Sequence, residues 1–492
     1  MRGSLTKTLR AAALCAGLLG CAMPAAADAA PALPLTHAGR WISDAHGRVV
    51  ILHGTNMVYK LAPYYPAAAG FDAKDAAFLR SIGFNAVRVG VIWTAVEPQP
   101  GVYDDAYLQQ IEQTVALLAR KGIVSLLDFH QDMYNEKYQG EGFPDWAVQD
   151  DGLPNEPKAG FPNNYFVNPA LQRAFDNFWA NKPASDGVGL QDHYAAAWAH
   201  AAQRFAANRA VLGYEIVNEP FMGSEWQTCA NPEGCPLFDQ KLDAFDHKVN
   251  AAIRAVDPKT LVWYEPNAAF NFGANTHLTS PGPRSGFAFH DYCLANEAEG
   301  CPTQELTMTN ADKYVAGSGD ALLLDEWGAT SGLTDLHKMV ALADQHMVPW
   351  TEWAYCLCSD PTTAGQDQGI IREASKPPSG ENLNSSTLEA LVEPYPQVVS
   401  GTPLSWGFDR ESSTFSFDYS TQPADAARSF RAGSVTQIAT PRLSYPSGYG
   451  VQVSGGRAVS KPGARLLRVA SCPGAKEVSV TAAPGLAPAQ GC

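Results

Sequence analysis

An α/β fold, a (β/α)8 barrel followed by a small antiparallel β-sandwich, is what this sequence predicts, on three observations. Apolar runs that read as buried strands alternate with helical periods from Val49 to about residue 396. Several of these runs stop abruptly at polar residues, as parallel barrel strands do at their C-terminal mouth. Beyond Pro396 the helical period ceases, and short runs separated by Gly, Pro, Ser and Asp replace it.

Taken in order, Val50 to Met57 is the first strand, and Asp72 to Ile82 is a helix closed by Gly83. Ala86 to Trp93 is the second strand. Asp105 to Arg120 follows, with Leu108, Ile111, Val115, Leu118 and Ala119 on one helical face. Ile123 to Phe129 is the third strand. Residues 133 to 188 then carry no steady period, and a loop of that length after a strand end reads as functional. Leu190 to Ala206 is a helix, Val211 to Val217 the fourth strand and Pro236 to Val256 the next helix. Leu261 to Tyr264, Gly286 to Phe289, Ala321 to Leu324 and Val348 to Trp353 complete the eight strands, and Ser385 to Val392 is a last helix. In the tail, strands are expected over Leu404–Tyr419, Arg428–Ala432, Thr440–Tyr445, Val451–Ser454, Ala464–Val469 and Glu477–Thr481. The domains expected are therefore a leader (1–27), a catalytic barrel (34–396) and a sandwich (397–492).

The leader has three basic residues, no acidic one, an apolar stretch from Ala11 to Met23 and small residues at Ala25 to Ala27. That is a secretory layout, and export is the expectation. A second reading takes Leu18-Leu19-Gly20-Cys21 as a lipoprotein processing site, with a lipid on Cys21. The net charge of −15 argues against nucleic acid or an anionic membrane as main partner. Eight cysteines remain after the leader, in local couples: Cys229 with Cys235, Cys293 with Cys301, Cys356 with Cys358, Cys472 with Cys492. Proximity makes these couples the expected disulfides. Cys356-x-Cys358 is the only hint of a metal and has no matching Cys/His set, so neither metal nor cofactor is expected.

The chemistry is written at the strand ends. Pro220 cannot donate to a sheet ladder, so Asn218 and Glu219 should sit at the mouth of strand four. Glu326 stands at the end of strand seven, across the barrel axis. Two facing glutamates suit glycoside hydrolysis, in which one carboxyl protonates the departing oxygen and the other attacks the sugar or activates water. Paired surface acids are the structural alternative. Arg88 at the end of strand two, His130 at the end of strand three, His290 and Tyr292 after strand six, and Trp353 closing strand eight make that alternative a poor fit.

In this arrangement the sequence resembles glycoside hydrolase family 5, whose strand ends carry Arg, His, Asn-Glu, His-x-Tyr, Glu and Trp, here Arg88, His130, Asn218-Glu219, His290-x-Tyr292, Glu326 and Trp353. The strings Asn56-Met57-Val58-Tyr59-Lys60, Asp128 to Tyr134, Phe178-Trp179-Ala180 and His290-Asp291-Tyr292-Cys293 resemble the actinobacterial endoglycoceramidase branch, as does the tail with Pro394-Tyr395-Pro396 and Thr440-Pro441-Arg442. The resemblance implies an acid/base Glu219 and a nucleophile Glu326 in a retaining double displacement, with carboxyls about 5 Å apart. It implies that Asn218 holds the sugar 2-hydroxyl, that Tyr292 and Arg88 orient Glu326, and that Trp353 stacks on the sugar. Lys60, Asp132 and Trp179 would contact the first sugar, with loop solvation of Lys60 and loop packing of Trp179 as open alternatives.

The implied substrate is a glycosphingolipid cut between glycan and ceramide. The implied protein is a monomer that touches lipid surfaces or micelles peripherally. A family 5 β-glycosidase acting on short β-glucosides or cello-oligosaccharides is the alternative, and a non-catalytic carbohydrate or lipid binder the alternative of another class. Aromatics at strand ends, among them Trp93, Tyr134, Trp146, Phe221, Trp226, Phe270, Phe272 and Trp327, are candidates for the cleft wall, about half of them expected to serve. Trp327 and the Cys356–Cys358 couple stand where family members often differ, and both are expected to border the lipid side of the cleft.

Overall fold

The computed structural model describes residues 30–293, 300–363, 368–426 and 429–492, so the expected leader, with Cys21, lies outside the described residues. Eight parallel strands close into a barrel: β1 His53–Met57, β2 Ala86–Val91, β3 Val124–Phe129, β4 Val211–Glu215, β5 Leu261–Tyr264, β6 Ser285–Asp291, β7 Ala321–Trp327 and β8 Trp350–Glu352. β8 pairs with both β7 and β1, which closes the ring.

Alternation along these strands sorts two cores. Ala86, Leu126, Trp263, Ala288 and Leu323 form an inner apolar layer. Their neighbours Val87, Leu127, Val262, Phe287 and Leu322 face the surrounding helices in a separate shell. Trp263 fills the barrel only because Gly213 and Gly286 lie beside it. A Cβ on either glycine would sit 2.3 Å from its ring.

Helices Ala73–Ser81, Asp105–Ala119, Leu190–Phe205 and Pro236–Val256 match their expected places. Asp72 caps the first with a reciprocal box to Asp75, and Asp104 caps the second. Among the helices that went unread are Thr303–Ser318 and Leu333–His346, each between two late barrel strands. The buried face of Thr303–Ser318 includes Gln304 and Thr307, which dilutes its apolar period. The long segment from 133 to 188 holds the helix Pro169–Trp179, with Asn168 as cap and Pro169 in its first turn.

The tail forms two packed sheets, and the division expected at residue 396 cuts through a strand. Tyr395–Val399 pairs with Val435–Ala439 on one side and with Val49–Val50 on the other. Through that pairing the N-terminal strands Thr36–Ala38, Trp41–Ser43 and Val49–Val50 join the tail's seven-stranded sheet. The expected first strand, Val50 to Met57, is therefore two strands in two sheets.

The second sheet has five strands, including the hairpin Thr402–Asp409 with Thr414–Ser420, read from sequence as one run. One pair in it is parallel, Gly450–Ser454 with Ala489–Gly491. Thr440–Tyr445 is a turn instead of a strand, and of Arg428–Ala432 the first residue lies outside the described residues while the others form no strand. Trp406, Phe415, Phe417, Tyr419 and Val480 fill the space between the sheets. His53 is stacked between Trp350 and Tyr395, at centroid distances of 4.2 and 3.7 Å, and ties the barrel to the sandwich. All four cysteine couples are disulfides. Among the described residues no helix is long and apolar enough to cross a membrane.

Candidate active site

Two residues beyond the inner apolar layer, the same strands turn charged: Ala86 gives way to Arg88, Leu126 to Asp128, Trp263 to Glu265, Ala288 to His290 and Leu323 to Asp325. Period two therefore stacks a ring of ionisable groups on the apolar floor. Arg88 is the hub. It lies in the middle of β2, not at its end as expected, and the length of its side chain carries the guanidinium to the carboxylates above.

Its Nη1 donates to Glu326 Oε2 at 2.8 Å and to Asn56 Oδ1 at 3.1 Å, and its Nη2 donates to Asn218 Oδ1 at 2.8 Å and to Glu215. Asp128, Glu265 and Asp325 lie 3.2 to 3.3 Å from it. One guanidinium cannot neutralise five buried acids, so some hold protons. Burial pushes Asp128, Glu265 and Asp325 up, whereas for Glu215 the Arg88 charge outweighs burial and holds it down at about 2.

The two glutamates named from sequence meet above this ring, with carboxylate oxygens within 4.8 Å of each other. Glu326 gets there by a bulge: β7 pairs Leu324 with Phe289 and Glu326 with His290, so Asp325 is the extra residue. Without it, strict alternation would turn Glu326 outward. Tyr292 donates its hydroxyl to Glu326 Oε1 at 2.7 Å. Burial nevertheless raises the Glu326 carboxyl above its ordinary value, with Glu219 adding to the rise and His290 and Arg88 opposing it.

Glu219 leaves β4 in a left-handed backbone conformation, φ +43°. Its Oε1 accepts from Asn271 Nδ2 and lies against His290 Nδ1, each at 2.8 Å. Burial opposes charge on His290, but Glu265, Glu326 and Glu219 raise it well above its ordinary value. Both oxygens of Glu326 and one of Glu219 are thus already taken by donors, which suits a sugar better than a metal ion.

A second polar group flanks the pair. Lys60 Nζ lies 2.5 Å from Asp132, 3.1 Å from Asp360 and 2.7 Å from Thr362 Oγ1, and 4.3 Å over the ring of Trp353. Lys60 is buried, not a solvated loop residue. His130 stacks on Trp353 at 5.3 Å and donates Nδ1 to Asp128 at 2.7 Å. Burial opposes its charge, but Asp128 and Asp132 bring it up to about 10.

A cavity of about 770 Å³ opens beside the glutamates, polar at Lys60, Asp132 and Thr362 and apolar at Phe166, Phe221, Trp226, Phe272 and Leu306. Trp353 and Tyr292 line it. Trp179 does not. It donates Nε1 to Phe221 O at 2.8 Å and packs on Phe238 and Phe245, supporting the wall from behind. Asn218 is buried, donating Nδ2 to Gln131 O while accepting from Arg88. Trp93, Tyr134, Phe270 and Trp327 are core, Trp327 lying against Trp350. The Cys356–Cys358 bridge, expected at the lipid side, is absent from the lining, which includes Cys229 and Cys293 instead. Glu215, Glu265, Asn271, Asp360 and Thr362 were not singled out from sequence. Glu215 and Glu265 carried the same signal as Glu219, an acid at the end of an apolar run.

Residues 43–359 match the family model for cellulase (glycosyl hydrolase family 5), and residues 394–481 match the glycoside hydrolase family 5 C-terminal domain. The chain belongs to glycoside hydrolase family 5. It is similar to endoglycoceramidase I of Rhodococcus hoagii, at 33% identity over 90% of this chain and 87% of the relative. It is also similar to an endoglycoceramidase of Cyanea nozakii, at 27% identity over 82% and 84%. Among solved structures, the lactosyl-enzyme intermediate of endo-glycoceramidase II from Rhodococcus sp. superimposes with a TM-score of 0.72, at 30% identity over 90% of this chain and 99% of that one. The ganglioside GM3 complex of the same protein gives 0.71, at 28% identity over 91% and 99%. The family 5 assignment thus covers the barrel and the sandwich together.

Proposed function

We propose that this family 5 enzyme hydrolyses the bond between glycan and ceramide in glycosphingolipids, with retention of anomeric configuration. The observation that carries the reading is a glutamate pair within 4.8 Å set where one cavity changes from polar to apolar. The separation suits a retaining double displacement, which needs roughly 5 to 5.5 Å, and falls short of the roughly 6.5 to 9.5 Å of inverting pairs. A cavity of that mixed lining suits an amphiphile whose scissile bond lies at the junction of its two halves. The R. hoagii and C. nozakii relatives are endoglycoceramidases, and the Rhodococcus sp. structures include a lactosyl-enzyme intermediate and a GM3 complex.

In this reading Glu326 attacks the anomeric carbon. Arg88 and Tyr292 stabilise its carboxylate before attack and release it as the ester forms. Glu219 protonates the departing ceramide oxygen. Because Asn271 and His290 occupy Oε1, Oε2 is the oxygen that acts on the glycosidic bond. Once Glu326 is esterified its charge is gone, and Glu219 as carboxylate activates the water that releases the glycan. Lys60, Asp132 and Trp353 hold the first sugar, with His130 and Asn218 fixing Trp353 and Arg88 behind them. The exposed rim residues Phe166, Phe272 and Leu306 give the cavity mouth peripheral contact with a micelle or lipid surface. The leader implies that the chain works outside the cytoplasm.

The test is product analysis by mass spectrometry after incubating wild type and Glu326→Gln with a ganglioside, a neutral glycosphingolipid and a cello-oligosaccharide. Intact glycan plus free ceramide from wild type alone is the expected result. Cleavage of the cello-oligosaccharide only would overturn the lipid reading.

A further inference from the structure

Glu265 lies one residue beyond β5 and is 3% exposed, so it cannot reach a substrate. Its Oε2 nevertheless meets two of the groups that aim Glu219, the backbone N–H of Glu219 itself and the His290 ring. It accepts the Glu219 backbone N–H at 3.1 Å and lies 3.4 Å from His290 Nε2. The other nitrogen of that imidazole, Nδ1, is 2.8 Å from Glu219 Oε1. The contacts close a ring: Glu265 to the backbone of Glu219, along its side chain to the carboxyl, across His290 and back to Glu265. Glu219 needs such a clamp because its φ of +43° is a conformation a side chain with a Cβ adopts at a cost. Asn271 holds the Glu219 carboxyl, but nothing it contributes reaches the backbone at that strained position.

We propose that Glu265 is a positioning residue for the acid/base step: it fixes the Glu219 backbone and the His290 ring together, so that the Glu219 carboxyl stays aimed at the departing oxygen. This rests on the assignment of Glu219 made above. Burial raises the Glu265 carboxyl above its ordinary value, and the Arg88 Nη2 that lies 3.3 Å from its Oε1 is shared with Glu215 and Asn218. An acceptor oxygen at Oε2 is what the clamp requires, and a negative charge is not.

The experiment compares two substrates for wild type, Glu265→Ala and Glu265→Gln: lactosylceramide in detergent micelles, whose alkoxide must be protonated to leave, and dinitrophenyl lactoside, whose leaving group needs no proton. For Glu265→Ala the expected kcat/KM falls about 100-fold on lactosylceramide, the scale of a general-acid contribution, and stays within about three-fold on the dinitrophenyl lactoside. Azide should accelerate turnover of the aryl substrate by Glu265→Ala, as it should for Glu219→Ala, because it replaces water that Glu219 would have activated. Glu265→Gln keeps the acceptor and should stay within about three-fold of wild type on both.

Equal losses on the two substrates would overturn the proposal, since a general structural defect harms both. Full activity of Glu265→Ala on lactosylceramide would overturn it as well, and so would a Gln variant as impaired as the Ala variant. If Glu265→Ala does not fold, Glu265→Met, of similar volume and without an acceptor, carries the same comparison. Failure of wild type itself to cleave either lactoside would instead bring down the functional reading beneath it.

Discussion

Replacing Tyr292 by Phe deletes the hydroxyl that donates to Glu326 Oε1 at 2.7 Å and leaves the ring in place. Glu326 must be ionised to attack, yet burial already raises its carboxyl. The Tyr292 hydrogen bond favours the charged form, so its loss raises that carboxyl further. A hydrogen bond to a charged group contributes about 1.5–3 kcal/mol, and one pH unit corresponds to about 1.4 kcal/mol. The acidic limb of kcat/KM, where activity falls as Glu326 takes up a proton, should therefore move to higher pH by about one to two units. The assay is kcat/KM against pH on dinitrophenyl lactoside, which needs no general acid and so isolates Glu326 from Glu219. A lower plateau with an unmoved limb would show that Tyr292 does not govern the ionisation of Glu326, and that part of the reasoning would be wrong.

Glu326→Gln should abolish turnover and yet raise Tm at pH 7: the folded carboxyl is raised by burial, so its charging costs stability as pH rises, and the difference from wild type should vanish near about pH 4. Glu393, buried where the barrel meets the sandwich, is pushed up to about 7 by burial against the opposing charge of Arg410. Its contribution is present below the ordinary carboxyl value and is lost as pH climbs toward 7. Glu393→Gln should flatten Tm between pH 4.5 and 7 in a calorimetric series. Lys60→Met leaves Asp132 and Asp360 without their shared cation and should cost about 3–5 kcal/mol in denaturant unfolding, with KM for lactosylceramide raised as well. Deleting residues 397–492 removes most of the sheet that Val49–Val50 joins and bares Tyr395 beside His53, so the truncated barrel should be insoluble before any loss of chemistry can be measured.

What the sequence determined by itself was local. Alternating apolar runs and helical periods are written residue by residue, so the barrel, the order of its strands and most of its helices were legible. So were Glu219, Glu326, His130, Tyr292 and Trp353, because a polar residue ending an apolar run is visible without knowing what it faces. Short spacing brought the four cysteine couples within reach of each other, and each closed as expected. The tertiary structure decided whatever depends on partners far along the chain. Val49–Val50 pairs with Val399 and Val398 across more than three hundred residues, and no local pattern says so. The bulge at Asp325 exists only against β6, yet it turns Glu326 into the cleft.

Trp179 reads in sequence like any cleft aromatic, and only the carbonyl of Phe221 gives its indole a structural task. The charge state of the ring around Arg88 is the clearest case. Five acids on four strands look alike in sequence, and it is burial around a single guanidinium that holds Glu215 down at about 2 while Asp128, Glu265 and Asp325 rise. Proton affinity is set by distance and dielectric, and those come into being only when the strands close.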